Sequence, residues 1–398
     1  MKTWRNLFLG LLILTSSVAG FWWWTRPAEQ AVLPPLLAVG TSAEGFARAL
    51  TPREFVFPLD HGPHLDFQTE WWYYTGNLEA GDPGDPGDRG DRGDRGARYG
   101  YQLTIFRRGL TPGATPGDGL RTNQIYFAHF AITDVARGTH RAAERFSRGA
   151  GGLAGAQGEP TFAVWLEDWR IEALNADGSA VRLRAQEAGL SLDLELRSAK
   201  PVVLQGERGL SPKSSAPGNA SYYVSYTRLA TTGTLTLDDQ TVAVRGESWF
   251  DHEWSTSALG PQGQGWDWFS LQLSDGRELM LFQIRNADGS LDPVSGGTLI
   301  AADGTTTRLL ADDVVLEPLE TWTSPRSGAT YPIAWRVVIA GHGLDLTVRA
   351  RIPAQEMPFA FTYWEGTVAV TGTANGQTVM GFGYLEMTGY LGSMQGVF

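Results

Sequence analysis

From Glu54 onward, apolar and polar positions alternate in short runs of period two, and no long 3.6-residue apolar stripe appears. Asp-Gly or Asn-Gly pairs at 177–178, 275–276, 288–289, 303–304 and 375–376 separate these runs. Such pairs between apolar stretches are the strongest short-range hairpin signal, because tight turns need the left-handed backbone they tolerate. The pattern predicts an all-β chain of many short antiparallel strands, built into barrels or sandwiches. The best helix candidate past residue 55 is the Glu-Arg-containing piece near 140–148, and one short helix is open near 42–50.

The pattern also repeats. Residues 70–78 (EWWYYTGNL) form an aromatic strand, and residues 99–107 (YGYQLTIFR) an apolar one ending in arginine. Residues 266–273 (WDWFSLQL) and 277–285 (RELMLFQIR) follow the same scheme. Two copies of one barrel-like unit are expected, the second beginning near residues 235–245. The division is 51–238 for the first barrel and 239–398 for the second. Between the strands of the first pair, residues 81–96 repeat Gly-Asp-Pro and Gly-Asp-Arg triplets, too few for a triple helix, and read as a solvated loop.

Composition narrows the function classes. The net charge of -11 argues against a nucleic-acid partner. Cysteine is absent, which excludes disulfides, thiolate metal sites and a cysteine nucleophile. Lys2 and Arg5 precede an uncharged run over residues 6–25, whose apolar centre leads into Ser-Ser-Val-Ala-Gly and then three tryptophans. Residues 1–26 read as a signal peptide or a signal anchor, with possible membrane attachment through residues 6–25. Either form places the rest of the chain outside the cytoplasm, periplasmic or extracellular. Residues 27–50 look like a linker.

Candidate chemistry concentrates in residues 246–268 (GESWFDHEWSTSALGPQGQGWDW). They hold four of the chain's 15 tryptophans, four carboxylates and one of its six histidines. In a strand, Trp249, Asp251 and Glu253 share one face, while Phe250, His252 and Trp254 share the other. Either face turned inward sets ionisable groups beside indoles, where desolvation raises a carboxylate pKa and keeps histidine neutral. Asp267 lies between Trp266 and Trp268. Glu70 shares a face with Trp72 and Tyr74, leaving Trp71 and Tyr73 on the other, so one of the two aromatic faces is expected to line a cavity. An arginine partner for Glu70, such as Arg107 or Arg108, is the alternative. His129 sits on an apolar strand, where a lone histidine is more often a hydrogen-bonded core residue than a catalyst. His61-Gly-Pro-His64 is a turn with no obvious further metal ligand. No Gly-x-Ser-x-Gly elbow, phosphate loop or His-Glu-x-x-His occurs.

Residues 66–76 (DFQTEWWYYTG), 127–134 (FAHFAITD), 249–259 (WFDHEWSTSAL) and 265–271 (GWDWFSL) together resemble the bacterial predicted secreted hydrolases grouped with carotenoid 1,2-hydratases (hydroxyneurosporene synthases) and AttH-like proteins. The resemblance spans about residues 50–398. It implies two tandem lipocalin-like antiparallel β-barrels, and hydration or hydrolysis of a hydrophobic isoprenoid or lipid with no cofactor and no metal. The histidine and tryptophan of its Asp-His-x-Trp motif fall on His252 and Trp254. The Tyr-x-Asp pair of the hydratase branch has no counterpart in residues 278–284. The expected catalytic set is His252, Asp251, Trp254, Asp267 and Glu70, with Trp71, Trp72, Tyr73, Trp266, Trp268 and His129 against substrate. The alternative is a non-catalytic carrier of lipid, with possible transporter association.

Overall fold

The structure is a computed structural model describing residues 43–81, 98–113, 122–257 and 259–396. The signal or anchor segment, the linker up to residue 42 and the triplet loop beyond Gly81 lie outside the described residues. The first sheet contains β1 (Thr69–Ala80), β2 (Arg98–Gly109), β3 (Gln124–Asp134), β4 (Thr139–Arg148), β5 (Ala154–Gln157), β6 (Ala163–Leu166), β7 (Trp169–Ala173), β8 (Ala180–Glu187), β9 (Leu190–Ser198), β10 (Val203–Leu204), β11 (Leu210–Pro212), β12 (Ala220–Leu237) and β13 (Gln240–Ser255). The second contains β14 (Gly263–Leu273), β15 (Glu278–Asn286), β16 (Gly296–Ile300), β17 (Thr306–Leu310), β18 (Val315–Thr323), β19 (Thr330–Ile339), β20 (Leu344–Ala350), β21 (Glu356–Pro358), β22 (Thr362–Ala374) and β23 (Gln377–Met387). Among the described residues, helical structure is confined to short 3-10 turns, and no helix is long and apolar enough to cross a membrane.

The strand orders are β4-β3-β2-β1-β13-β12-β9-β8-β7-β6-β5 and β17-β16-β15-β14-β23-β22-β20-β19-β18. Both sheets wind alike, the first strand pairing with the last: β1 with β13 and β14 with β23. The first curls into a nearly closed barrel and the second into a half-barrel. The anticipated Asp-Gly and Asn-Gly pairs fall at turns between strands, with glycine at positive φ in each.

The sheet boundary differs from the expected 238/239 division. Asp238 and Asp239, both at positive φ, form the tight turn of the β12–β13 hairpin, so the first sheet runs on to Ser255 and the second starts at Gly263. β13 misleads because both its faces are buried near its C-terminal end, one in each of two cores. The helix expected near 140–148 is the strand β4, whose backbone bonds are taken up by β3. Its Arg145 lies over the Trp169 ring at 4.6 Å. Residues 43–50 form a turn and irregular chain, not a helix.

Each sheet has its own apolar core, one including Trp72, Phe130 and Trp169, the other Phe269, Trp335 and Trp364. A third cluster, with Tyr73, Tyr223, Trp249, Trp268 and Tyr384, lies where the sheets meet. Buried polar ties cross this seam. Glu278 on β15 accepts from Arg228 of β12 at 2.6 Å and from Lys200 at 2.7 Å. Gln272 donates to the carbonyls of Thr227 and Ser248 at 2.8 and 3.0 Å. These groups lose water on folding, so their mutual pairing is what keeps the seam in one register.

Strands β14 and β23 approach so closely at Gly383 that an added Cβ would sit 2.0 Å from the Ser270 carbonyl oxygen. Gly383→Ala is expected to lower stability by about 1–3 kcal/mol through overpacking, read as a lower urea midpoint. An unchanged midpoint would show that the pair can open freely.

Candidate active site

The register of β1 against β13 sets the site. Glu70 pairs with Trp254, Trp71 with Glu253, Trp72 with His252 and Tyr73 with Asp251. Directly opposed residues of an antiparallel pair project to the same side. Glu70, Trp72, His252 and Trp254 therefore face the interior of the first sheet, and Trp71, Tyr73, Asp251 and Glu253 face the second sheet.

On the inner face Glu70 is fully buried. Its Oε1 lies 2.9 Å from His252 Nε2 and 2.8 Å from His64 Nδ1. Its Oε2 accepts from Arg107 Nε and from the His64 backbone N–H, each at 2.9 Å. Arg107, opposite Glu70 on β2, also donates to Gln124 and to the carbonyls of His64 and Phe67. His64 Nε2 is 3.1 Å from Asp60, and its ring stacks on Trp254 at 3.7 Å. Burial alone would raise the Glu70 pKa, but the Arg107 and His64 charges and the histidine hydrogen bonds hold it far below the carboxylate range. Burial likewise opposes protonation of His64, and the carboxylates Glu70 and Asp60 outweigh it, so its pKa is raised. His252 goes the other way: burial outweighs Glu70 and lowers its pKa. The ligand atoms of His64, Glu70 and His252 lie within 4.8 Å of one another, which is the donor set of a divalent-cation site. Here the proton on each ring and the guanidinium already satisfy Glu70. Glu70 thus has the arginine partner that was the alternative reading, and it acts as a fixed anion rather than a proton reservoir.

The opposite face is different. Between the sheets lies a cavity of about 90 Å³ lined by Trp71, Tyr73, Phe106, Trp266, Trp268 and Phe282 among its apolar walls. Asp251, Glu253, Glu365, Glu386 and Lys213 also reach it. Asp251 accepts from Trp249 Nε1 at 2.7 Å, Ser225 Oγ at 2.5 Å and Tyr223 at 2.6 Å. Burial outweighs these donors and pushes its pKa up to about 7. Glu253 is held by Lys213 and Ser221. Glu365 and Glu386 oppose each other directly on β22 and β23, and Trp268 of β14 pairs with Glu386 from the other side. Trp266 Nε1 donates to Glu386. Both oxygens of Glu365 are buried, and the Tyr73 and Tyr363 hydroxyls beside them oppose, without cancelling, the effect of burial. Burial raises both pKa values, and the charge of Glu386 raises that of Glu365 further. Two like charges in direct opposition cannot both ionise in such a place, so the pair holds a proton at neutral pH.

The expected site residues therefore divide. Asp251, Trp71, Tyr73, Trp266 and Trp268 line the cavity. His252, Glu70, Trp72 and Trp254 do come together, but within the first sheet. Asp267 does not join them: it is buried against Gln283 at 2.8 Å, Arg285 at 3.1 Å and Tyr390 at 3.0 Å, on the side of its strand away from the cavity. His129 is a hydrogen-bonded core residue, 2.7 Å from the Tyr363 hydroxyl and 3.1 Å from Glu144, and it fixes Tyr363 at the cavity wall. Sequence reasoning missed Glu365, Glu386 and Lys213. The available signal was a single charged residue in each of two otherwise uncharged strands, Tyr-Trp-Glu at 363–365 and Tyr-Leu-Glu at 384–386.

The AttH-like family model matches residues 48–390. The crystal structure of an AttH protein from Nitrosomonas europaea is 32% identical, with a TM-score of 0.73, and the match covers 87% of this chain and all of that one. Kievitone hydratase from Nectria haematococca shares the fold at 15% identity and a TM-score of 0.63, over 87% of this chain and 96% of that one. CghA does so at 14% identity and a TM-score of 0.51, over 87% and 97%. No curated protein matches the chain.

Two stability tests follow from the inner face. Glu70→Gln leaves Arg107 buried beside a neutral group and is expected to cost about 3–5 kcal/mol in denaturant unfolding. A loss below 1 kcal/mol would contradict the buried ion pair. Burial also pushes the pKa of His61 down to about 3 and that of His140 to about 4. Below pH 6.5 the unfolded chain binds protons these rings refuse, so stability falls from there down to their folded values, by up to roughly 3–5 kcal/mol per ring. His64 works oppositely, its contribution complete below pH 6.5 and lost as pH rises through its folded value. Asp251, Glu365 and Glu386 also oppose the fall, because their raised folded values make the folded chain take up protons over the same interval. The histidine effect is therefore read as a difference: relative to the parent, His140→Gln should shift the urea midpoint more favourably at pH 5 than at pH 7, and an equal shift at both would contradict it.

Proposed function

The chain belongs to the AttH-like family, and on that premise we propose that it adds water to a carbon–carbon double bond near the end of a hydrophobic chain. The observation that carries this reading is the buried Glu365–Glu386 pair, directly opposed and facing tryptophans in a cavity between the sheets, where burial and like charge favour the neutral acid. A carboxylic acid kept neutral by its surroundings can give its proton to an alkene, which is otherwise a poor base. The relatedness in fold to a protein named kievitone hydratase supports water addition as the reaction class.

The steps balance without a cofactor. The acid proton forms a C–H bond using the alkene π electrons, leaving a cation on the adjacent carbon. The faces of Trp268 and Trp71 stabilise that cation by roughly 1–2 kcal/mol each when water is excluded. Water then forms the C–O bond, and its surplus proton passes to Asp251 or back to the glutamate pair. Asp251, with a pKa near 7 and three fixed donors, accepts that proton without a change of position. The cavity of about 90 Å³ is smaller than the 150 Å³ or so that accepts benzene in an engineered apolar core, so it suits a chain end rather than a whole carotenoid. Trp249 and Tyr223 position Asp251. His252 and Glu70 belong to the scaffold in this reading. The N-terminal segment supports export as part of the same proposal, with the reaction outside the cytoplasm.

Incubation with terminal alkenes and isoprenoids in H2-18O, followed by mass spectrometry of the alcohol, tests the reaction. Glu386→Gln and Glu365→Gln should each reduce kcat by about 10²–10⁴ with the Tm unchanged or higher, because an amide replaces a buried carboxyl whose ionisation is disfavoured there. Full turnover in both variants would defeat the proposal. Tight binding with no labelled product would point instead to a carrier.

A further inference from the structure

The chain already seats an ammonium of its own in the cavity between the sheets. Lys213 Nζ lies 2.5 Å from Glu253 and stands 5.3 Å from the centroid of the Tyr223 ring and 5.5 Å from that of Phe282. A cation beside aromatic rings is stabilised by their π electrons, and more so where water is excluded. Three indoles, Trp71, Trp266 and Trp268, line the same space.

One lysine does not balance the site. Asp251, Glu253, Glu365 and Glu386 line the cavity, and Lys213 is the sole cation among its described lining residues. Glu253 takes up that lysine. The partners of the other three carboxyls are neutral. Asp251 has two hydroxyls and an indole N–H, Glu386 has the Trp266 N–H, and tyrosine hydroxyls stand beside Glu365. Neutral donors solvate a carboxylate without cancelling its charge. Burial is the largest cause of the raised Glu386 pKa, the charges of Glu253 and Asp251 add to it, and that of Lys213 counters it. The chain alone meets this excess of acid by holding protons. A ligand that brings its own positive charge can take their place.

We propose that this cavity is a binding site for an alkylammonium ion, its N–H donors paired with Glu365 and Glu386 and its first carbons against the indoles. A head that carries N–H fits better than a quaternary one, because the carboxylates need donors as well as charge. A cavity of about 90 Å³ admits that head with roughly two or three carbons, given that about 150 Å³ accepts benzene. Leu259 also borders a basin of about 460 Å³, so a longer chain has a way out. On binding, the proton held by the glutamate pair leaves to solvent and N–H donors replace it. The inference stands apart from hydration. Hydration uses the pair as an acid, whereas here it serves as an anion, so a bound ammonium ion would block proton delivery to an alkene.

Calorimetric titration of the full chain at pH 7 with hexylamine, hexan-1-ol and hexyltrimethylammonium tests it. Hexylamine should bind about tenfold more tightly than hexan-1-ol at low salt. Repeating the titration in buffers of different ionisation enthalpy should show about one proton released per ammonium bound. That proton comes from the carboxyls, since burial holds the Tyr73, Tyr223 and Tyr363 hydroxyls protonated far above neutral pH. Glu386→Gln should erase most of the amine's advantage while leaving hexan-1-ol binding unchanged, which also shows that the variant is folded. Lys213→Met removes the competing ammonium and should tighten hexylamine several-fold, a gain that misfolding cannot imitate. Equal affinity for amine and alcohol, or no proton release, would overturn the inference while leaving hydration of a neutral alkene standing. Hexyltrimethylammonium binding as tightly as hexylamine would also overturn it, since N–H donors would then not be what the site recognises. Amine binding with proton release, in a protein that hydrates no alkene, would support it and remove the proposed function instead.

Discussion

Adjacent residues on a strand project to opposite sides, and in β1 and β13 both sides are buried. That geometry puts Glu70 and His252 in one environment and Asp251 in another, although His252 and Asp251 are neighbours in the chain. A strand with two buried faces must find partners for polar groups on each. On the inner face an arginine, two histidines and the backbone N–H of His64 do so for a single carboxylate. On the outer face the second sheet arrives with indoles and more carboxylates. The whole candidate site depends on that second sheet lying against the strand pair.

The two faces illustrate opposite settings of the same functional group. Glu70 is fully buried yet firmly ionised, because each of its oxygens meets positive charge or N–H donors. Glu365 is as deeply buried, but beside it stand neutral tyrosine hydroxyls rather than a cation, and its direct neighbour is another glutamate. Burial raises the pKa in both cases, and only partners decide whether that rise survives. The family motif containing His252 lies on the ionised side, which suits a scaffold. The side suited to proton transfer brings Asp251 to the Glu365–Glu386 pair, which lies more than 110 residues further along the chain.

The repeated winding of the two sheets also explains why similar motifs have different uses. Each first hairpin buries a carboxylate against an arginine from its partner strand: Glu70 with Arg107, and Asp267 with Arg285. Those pairs hold the inner faces of the two units. The seam is what the repetition creates, since it exists only when two such units stand together. Its polar ties, including Glu278 with Arg228 and Lys200, carry no catalytic signature in the sequence, yet they hold the walls of the cavity.

The sequence by itself determined the strand character, the hairpin turns, the winding as two like units and the alternation on β1 and β13. These depend on local period and turn chemistry, which neighbouring residues specify. It also marked Trp71, Tyr73, Asp251, Trp266 and Trp268 as candidates, because acids among indoles are visible in one dimension. It did not determine which of two equally aromatic faces met a void, since both are buried and only the docking of the second sheet distinguishes them. Nor did it reveal Glu365 and Glu386, whose significance lies in facing each other across a strand pair deep in the seam. Tertiary structure decided those points, because desolvation and charge pairing depend on what surrounds a group in space, and the residues that surround these come from distant parts of the chain.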